Sequence, residues 1–210
     1  MYTSQEQEII DHAKEKVGKL FEDYPVLSHG FKHADAVAVW SKKIAVKEKA
    51  RSIFLCELSG YVHDIGRAAE FYDIGLAKKQ AKSTHHELSY QVLQTWFQSD
   101  KILQKIPKKQ QKELLYAVRY HWNDQANHFD TAWILRDADK LDLFGKQGLQ
   151  RHQEYYAYDI DGLNRSLRFA FASYYWVATK TARQIIKKQK LMEPIEIFYK
   201  KFLNKQIKSS

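Results

Sequence analysis

The sequence predicts an all-α fold, a single helical bundle with a metal site in its core, and three observations carry that expectation. Ala, Leu, Lys, Gln and Glu are plentiful, while the 210 residues include only three prolines and eight glycines, a balance that favours helices. Apolar residues recur at helical spacing, and no run alternates apolar with polar residues as a half-buried strand would. Metal-competent side chains are strung along that helical pattern from His33 through His63, Asp64, His86 and His121 to Asp139. Separate helices that present ligands inward are the usual way an all-helical domain builds a metal cavity.

The helices follow in order. The first is expected from Ser4 to Phe21, stopping near Tyr24-Pro25 because the residue before proline resists the helical conformation. The second starts around Gly30 and aligns His33, Val37, Trp40 and Ile44 on one stripe. The third climbs from about Arg51 through Phe54, Leu55, Leu58 and Val62 to His63-Asp64, where Ile65-Gly66 is expected to break it. Gly66 to Ser83 reads as a loop with room for a short helical piece. Ser83 or Thr84 then caps a helix from His85 to Gln98, with Glu87 in its first turn, where the helix dipole favours an acid. After Pro107 a helix carries Leu114, Val118 and His121 on one stripe; Trp122 to Asp130 is a polar connection, and a helix from about Thr131 holds Asp137 to Asp142. Beyond an Asp161-Gly162 turn, one long aromatic-rich helix is expected from Leu163 to Lys188, with core or interface as the first reading of Phe169 to Trp176. A last helix starts near Pro194, well placed for a first turn.

Composition bounds the function. The chain is 44% hydrophobic and 14% aromatic, as a globular domain is and a disordered segment is not. Net charge is +9, with lysines clustered at Lys42-Lys43-Lys47-Lys49, Lys105-Lys108-Lys109-Lys112, Lys187-Lys188-Lys190 and Lys200-Lys201-Lys205-Lys208. Such clusters attract anions but equally make an ordinary solvated surface, so charge alone does not choose a partner. The single cysteine, Cys56, sits in the apolar run Ile53-Phe54-Leu55-Cys56 and reads as a small core residue in a reducing compartment. The N-terminus carries Glu6, Glu8 and Asp11, unlike a signal peptide, and no apolar run approaches the roughly 20 residues that span a bilayer. The expected location is cytoplasmic, with no membrane contact.

The chemistry-bearing pattern centres on His63-Asp64. Imidazole suits transition metals and carboxylate suits hard cations, so the mixture points to a catalytic site with an oxygen-bound substrate; a structural zinc site would be richer in cysteine. His33 and His121 lie on apolar stripes, and a shared cation would satisfy several such buried polar groups at once. The segments Ser28-His29-Gly30-Phe31-Lys32-His33, Leu58 to Arg67 around His63-Asp64, and Arg136-Asp137-Ala138-Asp139-Lys140-Leu141-Asp142 together resemble the HD superfamily of metal-dependent phosphohydrolases. The resemblance covers about residues 26–144 as an HD core, leaving residues 145–210 as a C-terminal helical extension.

That resemblance implies that His33, His63, Asp64 and Asp139 hold a first divalent ion. Asp139 is preferred to Asp137 because the family places its last ligand after a small residue and before a Lys/Arg-Leu-like pair; periodicity leaves both open. His86 and His121 resemble two extra histidines that bind a second ion or grip phosphate in some subgroups, with His85 competing for the place of His86. His29, one turn before His33, is a candidate substrate contact. The implied activity is hydrolysis of a small anionic phosphorylated substrate, a nucleotide foremost, by a metal-activated water. Arg67 and Lys140 are candidates to absorb charge on the phosphoryl oxygens, and Asp64 to orient the water. One or two ions from Mn, Mg, Co, Ni, Zn and Fe would serve. The chain lacks the Gly-Tyr-Pro motif of cyclic-dinucleotide phosphodiesterases and the acidic pair of alarmone hydrolases, which leaves the general phosphomonoesterase or phosphodiesterase branch. Two alternatives come from other classes: a di-iron oxygenase of the same superfamily, and a non-catalytic nucleotide or nucleic-acid binder using the lysine-rich surface. Oligomeric state is not encoded in any feature of this pattern.

Overall fold

The computed structural model describes residues 2–77 and 83–209, with side chains through residue 201. Among these residues the chain forms eleven α-helices, one 3-10 turn at Leu103–Lys105 and no strand. Helix α1 (Ser4–Asp23) opens in a capping box: the Glu6 N–H donates to Thr3 Oγ1 at 3.1 Å and the Thr3 N–H donates to Glu6 Oε2 at 2.9 Å. These two bonds satisfy donors that a helix start leaves free. Its inner stripe, Ile9, Ile10, Ala13, Val17, Leu20 and Phe21, is buried.

Helices α2 (Phe31–Glu48) and α3 (Ile53–Val62) form the centre. Ser52 caps α3 by accepting from the Leu55 N–H at 3.1 Å. Every residue of α3 from Phe54 to Val62 is buried, because α1, α2, α6 (Lys108–Tyr120) and α7 (Asp130–Asp142) all pack on it. Two apolar clusters result, and both draw on α2 and α3. Cys56 lies wholly inside, where burial pushes its thiol up to about 12, so it is inert packing. Among the described residues, no helix is long and apolar enough to cross a membrane.

Several elements depart from the sequence expectation, each for a tertiary reason. Helix α3 ends at Val62, close to the expected end at His63-Asp64, but the turn that follows is tight: His63 and Ile65 keep right-handed helical angles, and the short helical piece, α4 (Gly66–Phe71), follows at once. Gly66 is required by close packing on α5 (His85–Ser99), where an added Cβ would lie 2.2 Å from the Ser89 nitrogen and 2.3 Å from the His85 oxygen. Of the loop expected from Gly66 to Ser83, residues 78–82 lie outside the described residues. Thr84 occupies the cap position of α5, but its hydroxyl bonds the His86 ring at 2.7 Å instead of a first-turn N–H.

The C-terminal half departs further. A helix not expected from the sequence, α8 (Gly145–Tyr155), starts at Gly145, whose backbone is left-handed. The long helix expected from Leu163 to Lys188 is instead α9 (Ile160–Tyr175) and α10 (Lys180–Lys188). Asp161-Gly162 falls in the first turn of α9, capped by Asp159 through the Gly162 N–H at 2.7 Å. The break between α9 and α10 is fixed from outside: Asp137 on α7 accepts from the N–H groups of Ala178 at 2.9 Å and Thr179 at 2.6 Å, and Thr179 then caps α10 through the Ala182 N–H. Helix α11 (Glu193–Ser209) closes the chain against α8, with Pro194 in its first turn.

Gly60 marks the closest approach of α2 and α3, since a Cβ there would lie 2.4 Å from Ala38 Cα. Gly60→Ala should therefore lose about 1–3 kcal/mol to overpacking, read as a lower urea midpoint at unchanged slope.

Candidate metal centre

Helix ends aim the central imidazoles. His63 and His121 are the residues just past α3 and α6, where the last carbonyls have no helical partner. Each ring donates its Nδ1–H to the carbonyl three residues earlier, Gly60 at 2.8 Å and Val118 at 2.7 Å. His33, in the first turn of α2, donates its Nδ1–H to Asp142 Oδ2 at 2.6 Å. With a proton held at each Nδ1 by these bonds, all three Nε2 atoms turn to one region, where a neutral ring presents a lone pair.

Carboxylate oxygens meet them there. His33 Nε2 lies 3.1 Å from His63 Nε2, 3.4 Å from Asp139 Oδ1 and 3.7 Å from Asp64 Oδ2. His63 Nε2 is 3.8 Å from both Asp64 Oδ2 and Asp139 Oδ1. The second Asp64 oxygen, Oδ1, is 3.6 Å from His85 Nε2 and 3.7 Å from His121 Nε2, and it is buried with no hydrogen-bond donor. Two donor groups thus share Asp64: His33, His63 and Asp64 on one side, and Asp64, His85 and His121 on the other, with the atoms of each within 4.8 Å of one another. Donors that each sit about 2.1 Å from one ion are about 3–3.5 Å apart, which the inner distances match. Lone pairs and carboxylates facing one another without protons call for a cation, so the residues fit a bound metal.

Electrostatics agree with the geometry. Burial alone would raise the Asp64 pKa, but His63, His85 and Arg67 hold it well below the carboxylate range. Asp139 is likewise lowered, against burial, by His63 and His33. Burial pulls His63 down, whereas for His33 it is outweighed by Asp142 and Asp139, which raise it. Desolvation also lowers His85 to about 3, and His29 and His86 to about 4.

Two choices left open by the sequence are decided by helix phase. Asp137 is fully buried and holds the start of α10; Asp139, turned about 200° further round α7, faces the cluster with 30% of its side chain open. At the start of α5, His85 points to Asp64, while His86, which the resemblance favoured, is turned to stack on Trp122 with ring centres 5.3 Å apart. The structure thus places His85, the competing residue, rather than His86 beside Asp64: successive residues on a helix differ by about 100°, and adjacency in sequence does not give the phase.

The other expected site residues all line one cavity of about 790 Å³ together with His33, Asp64, His121 and Asp139. Arg67 lies 3.5 Å from Asp64 Oδ2 and donates to Glu70 at 3.0 Å. Lys140 is ion-paired with Asp124. The His29 ring is 5.3 Å from that of His33 and bonds Ser28 Oγ at 2.8 Å. Asp142 was missed as a site residue, although its spacing of three from Asp139 places both on one face of α7. It orients His33 and is itself held by Arg151, the outer support that metal-binding histidines commonly have.

Compared with known families, the sequence matches the HD domain over residues 30–143, more than half of the chain. The protein belongs to the HD domain family. The fold of this HD domain protein is similar to that of Bacillus subtilis YpgQ (17% identity, 96% of each chain covered, TM-score 0.64). It is also similar to an HD-superfamily hydrolase from Bacillus thuringiensis (19% identity, 96% of this chain and 98% of that one, TM-score 0.66). A Lactobacillus plantarum protein shares the fold as well (14% identity, 99% of each chain, TM-score 0.67). No curated protein sequence matches.

Two outcomes follow from this geometry. Asp139→Ala should fold normally but bind less metal by elemental analysis. Asp137→Ala should keep its metal and lose about 2–3 kcal/mol of stability, since two buried N–H groups lose a charged acceptor. Stability should also fall on acidification. His29, His85 and His86 stay neutral in the folded chain down to about 4, 3 and 4, but titrate near 6.5 when unfolded. Below that value the unfolded state binds more protons, so the metal-free protein should lose stability as pH drops from 6.5 towards 4. His33 opposes this, its raised pKa contributing stability below 6.5 that is lost as pH rises through its folded value. Urea midpoints across this range should fall with pH, and His29→Gln should flatten the slope.

Proposed function

We propose that this HD domain protein is a metal-dependent phosphohydrolase acting on a nucleotide or another small phosphoester. The observation that carries the proposal is the convergence of oriented imidazole and carboxylate donors, including a buried carboxylate oxygen with no partner, on the wall of a cavity sized for a small molecule. His33, His63, Asp64 and Asp139 would hold one divalent ion, and Asp64, His85 and His121 a second. Mixed nitrogen and oxygen donors suit Mn, Fe, Co, Ni or Zn better than Ca. An ion held there lowers the pKa of water near neutrality and draws charge from phosphoryl oxygens.

The chain's own residues supply the rest. Asp142, Gly60 and Val118 fix the imidazole tautomers, so the donor set does not reorganise on each turnover. Asp64, held ionised by its neighbours, acts as a ligand and not as a proton donor. Arg67 and Lys140 place positive charge on the cavity wall where a phosphoryl group would sit, each already oriented by a carboxylate. His29, kept neutral by burial, can hydrogen-bond substrate without adding charge. The likeness to YpgQ, solved in complex with ADP, supports a nucleotide as the phosphorylated substrate.

The test is phosphate release from nucleotides, phosphomonoesters and phosphodiesters by protein stripped of metal and given Mn, Mg, Co, Ni, Zn or Fe. Turnover should depend on metal and drop to background in Asp64→Ala. Well-folded protein that turns over no substrate with any metal, yet consumes oxygen when loaded with iron, would overturn the proposal in favour of an oxygenase.

A further inference from the structure

Helices α8 and α9 contribute no metal donor, yet they line the same cavity as the cluster. They therefore face the part of a bound molecule that does not react. Their polar groups carry a definite hydrogen-bond sense. His152 on α8 is buried, and its Nε2 is 3.2 Å from the carbonyl oxygen of Leu143, at the end of α7. A carbonyl only accepts, so Nε2 carries the ring proton. Burial lowers the pKa of His152, which keeps the ring neutral and leaves Nδ1 with a lone pair. The neighbour of Nδ1 is Ser166 Oγ at 2.6 Å, so Ser166 must donate its one hydroxyl proton to His152. What Ser166 can then offer the cavity is acceptor lone pairs alone.

Its surroundings narrow the ligand. Ser166, Phe169 and Ser173 follow one another along the cavity face of α9, with Trp176 just past its end, and Tyr155 and Tyr156 at the end of α8 line the same wall. Phe169 and Trp176 expose 62% and 58% of their surface, so flat apolar faces line the same cavity as the hydroxyl. An obligate acceptor next to aromatic faces repels phosphate oxygens, which are themselves acceptors. It suits a ring that carries a donating hydroxyl next to a planar heterocycle.

We propose that Ser166, its proton fixed on His152, accepts a hydrogen bond from a sugar hydroxyl of a bound nucleotide and so selects ribose over deoxyribose. The proposal rests on the nucleotide assignment above and adds the orientation: phosphates towards the metal cluster and Arg67, nucleoside towards α8 and α9. His152 is a positioning residue in this scheme and Ser166 the specificity residue.

The experiment is calorimetric titration of the purified protein with ADP, 2′-deoxy-ADP and 3′-deoxy-ADP, repeated with Ser166→Ala and with Ser166→Cys. Cysteine keeps the volume but offers sulfur, a poor acceptor. One deoxy form should bind wild-type protein about 3–10-fold more weakly than ADP, the effect of one hydrogen bond. Both variants should abolish that difference while leaving the affinity for the deoxy form unchanged. Equal binding of all three nucleotides to the wild type would overturn the proposal and leave the phosphohydrolase assignment standing. Equal weakening of all three by both variants would also overturn it, marking Ser166 as structural support for His152. Binding of none would remove the nucleotide assignment, and the sugar contact with it.

Discussion

Asp64 is buried at the end of α3 with one carboxylate oxygen lacking any hydrogen-bond donor, between two imidazole nitrogens that also lack protons to share. Burying a carboxylate without compensation costs several kcal/mol, and a chain that only needed a stable core would have placed an apolar residue there. The surrounding histidines do not remove the problem, because hydrogen bonds to Gly60, Val118 and Asp142 draw the ring protons of His63, His121 and His33 away from the centre. The cluster is an electrostatic deficit that a cation corrects. The remaining architecture keeps this deficit in place.

Helix termini do most of that positioning. His63 and His121 borrow the free carbonyls at the ends of α3 and α6, so the same unsatisfied groups that end a helix set the direction of a ring. The glycines on either side of His63 let the neighbouring helices come close: Gly60 against α2, which brings His33 within 3.1 Å of His63, and Gly66 against α5, which brings His85 to Asp64. Local backbone chemistry supplies orientation, and close helix packing supplies proximity.

The C-terminal helices extend this frame. Arg151 and His152 on α8 donate to the consecutive carbonyls of Asp142 and Leu143 at the end of α7. Arg151 also pairs with the Asp142 carboxylate that orients His33. The wall of the cavity and the outer support of the metal cluster are therefore the same few contacts. Asp137, one helical half-turn from Asp139, fixes the opposite side of α7 to α10. One short acidic run on α7 thus serves three purposes: Asp139 faces the donor cluster, Asp142 orients His33, and Asp137 attaches α10.

The sequence by itself determined the helical class, the extents of α1 and α5 and the starts of α2 and α7 to within a few residues, and the order His33, His63-Asp64, Asp139. Each rests on local physics: apolar periodicity, caps, proline, and ligand types that need no distant partner to be recognised. Only the tertiary structure shows that Asp139 and His85 face the cluster while Asp137 and His86 turn away, because facing is a matter of helix phase relative to neighbours, and side chains one or two residues apart differ in it by a large angle. It also decided the break between α9 and α10, which depends on a carboxylate 41 residues upstream of Ala178, and the donor sense of Ser166, which depends on His152 and Leu143 together. Contacts across such separations leave no periodic trace in the chain, so they exist only once the helices have packed.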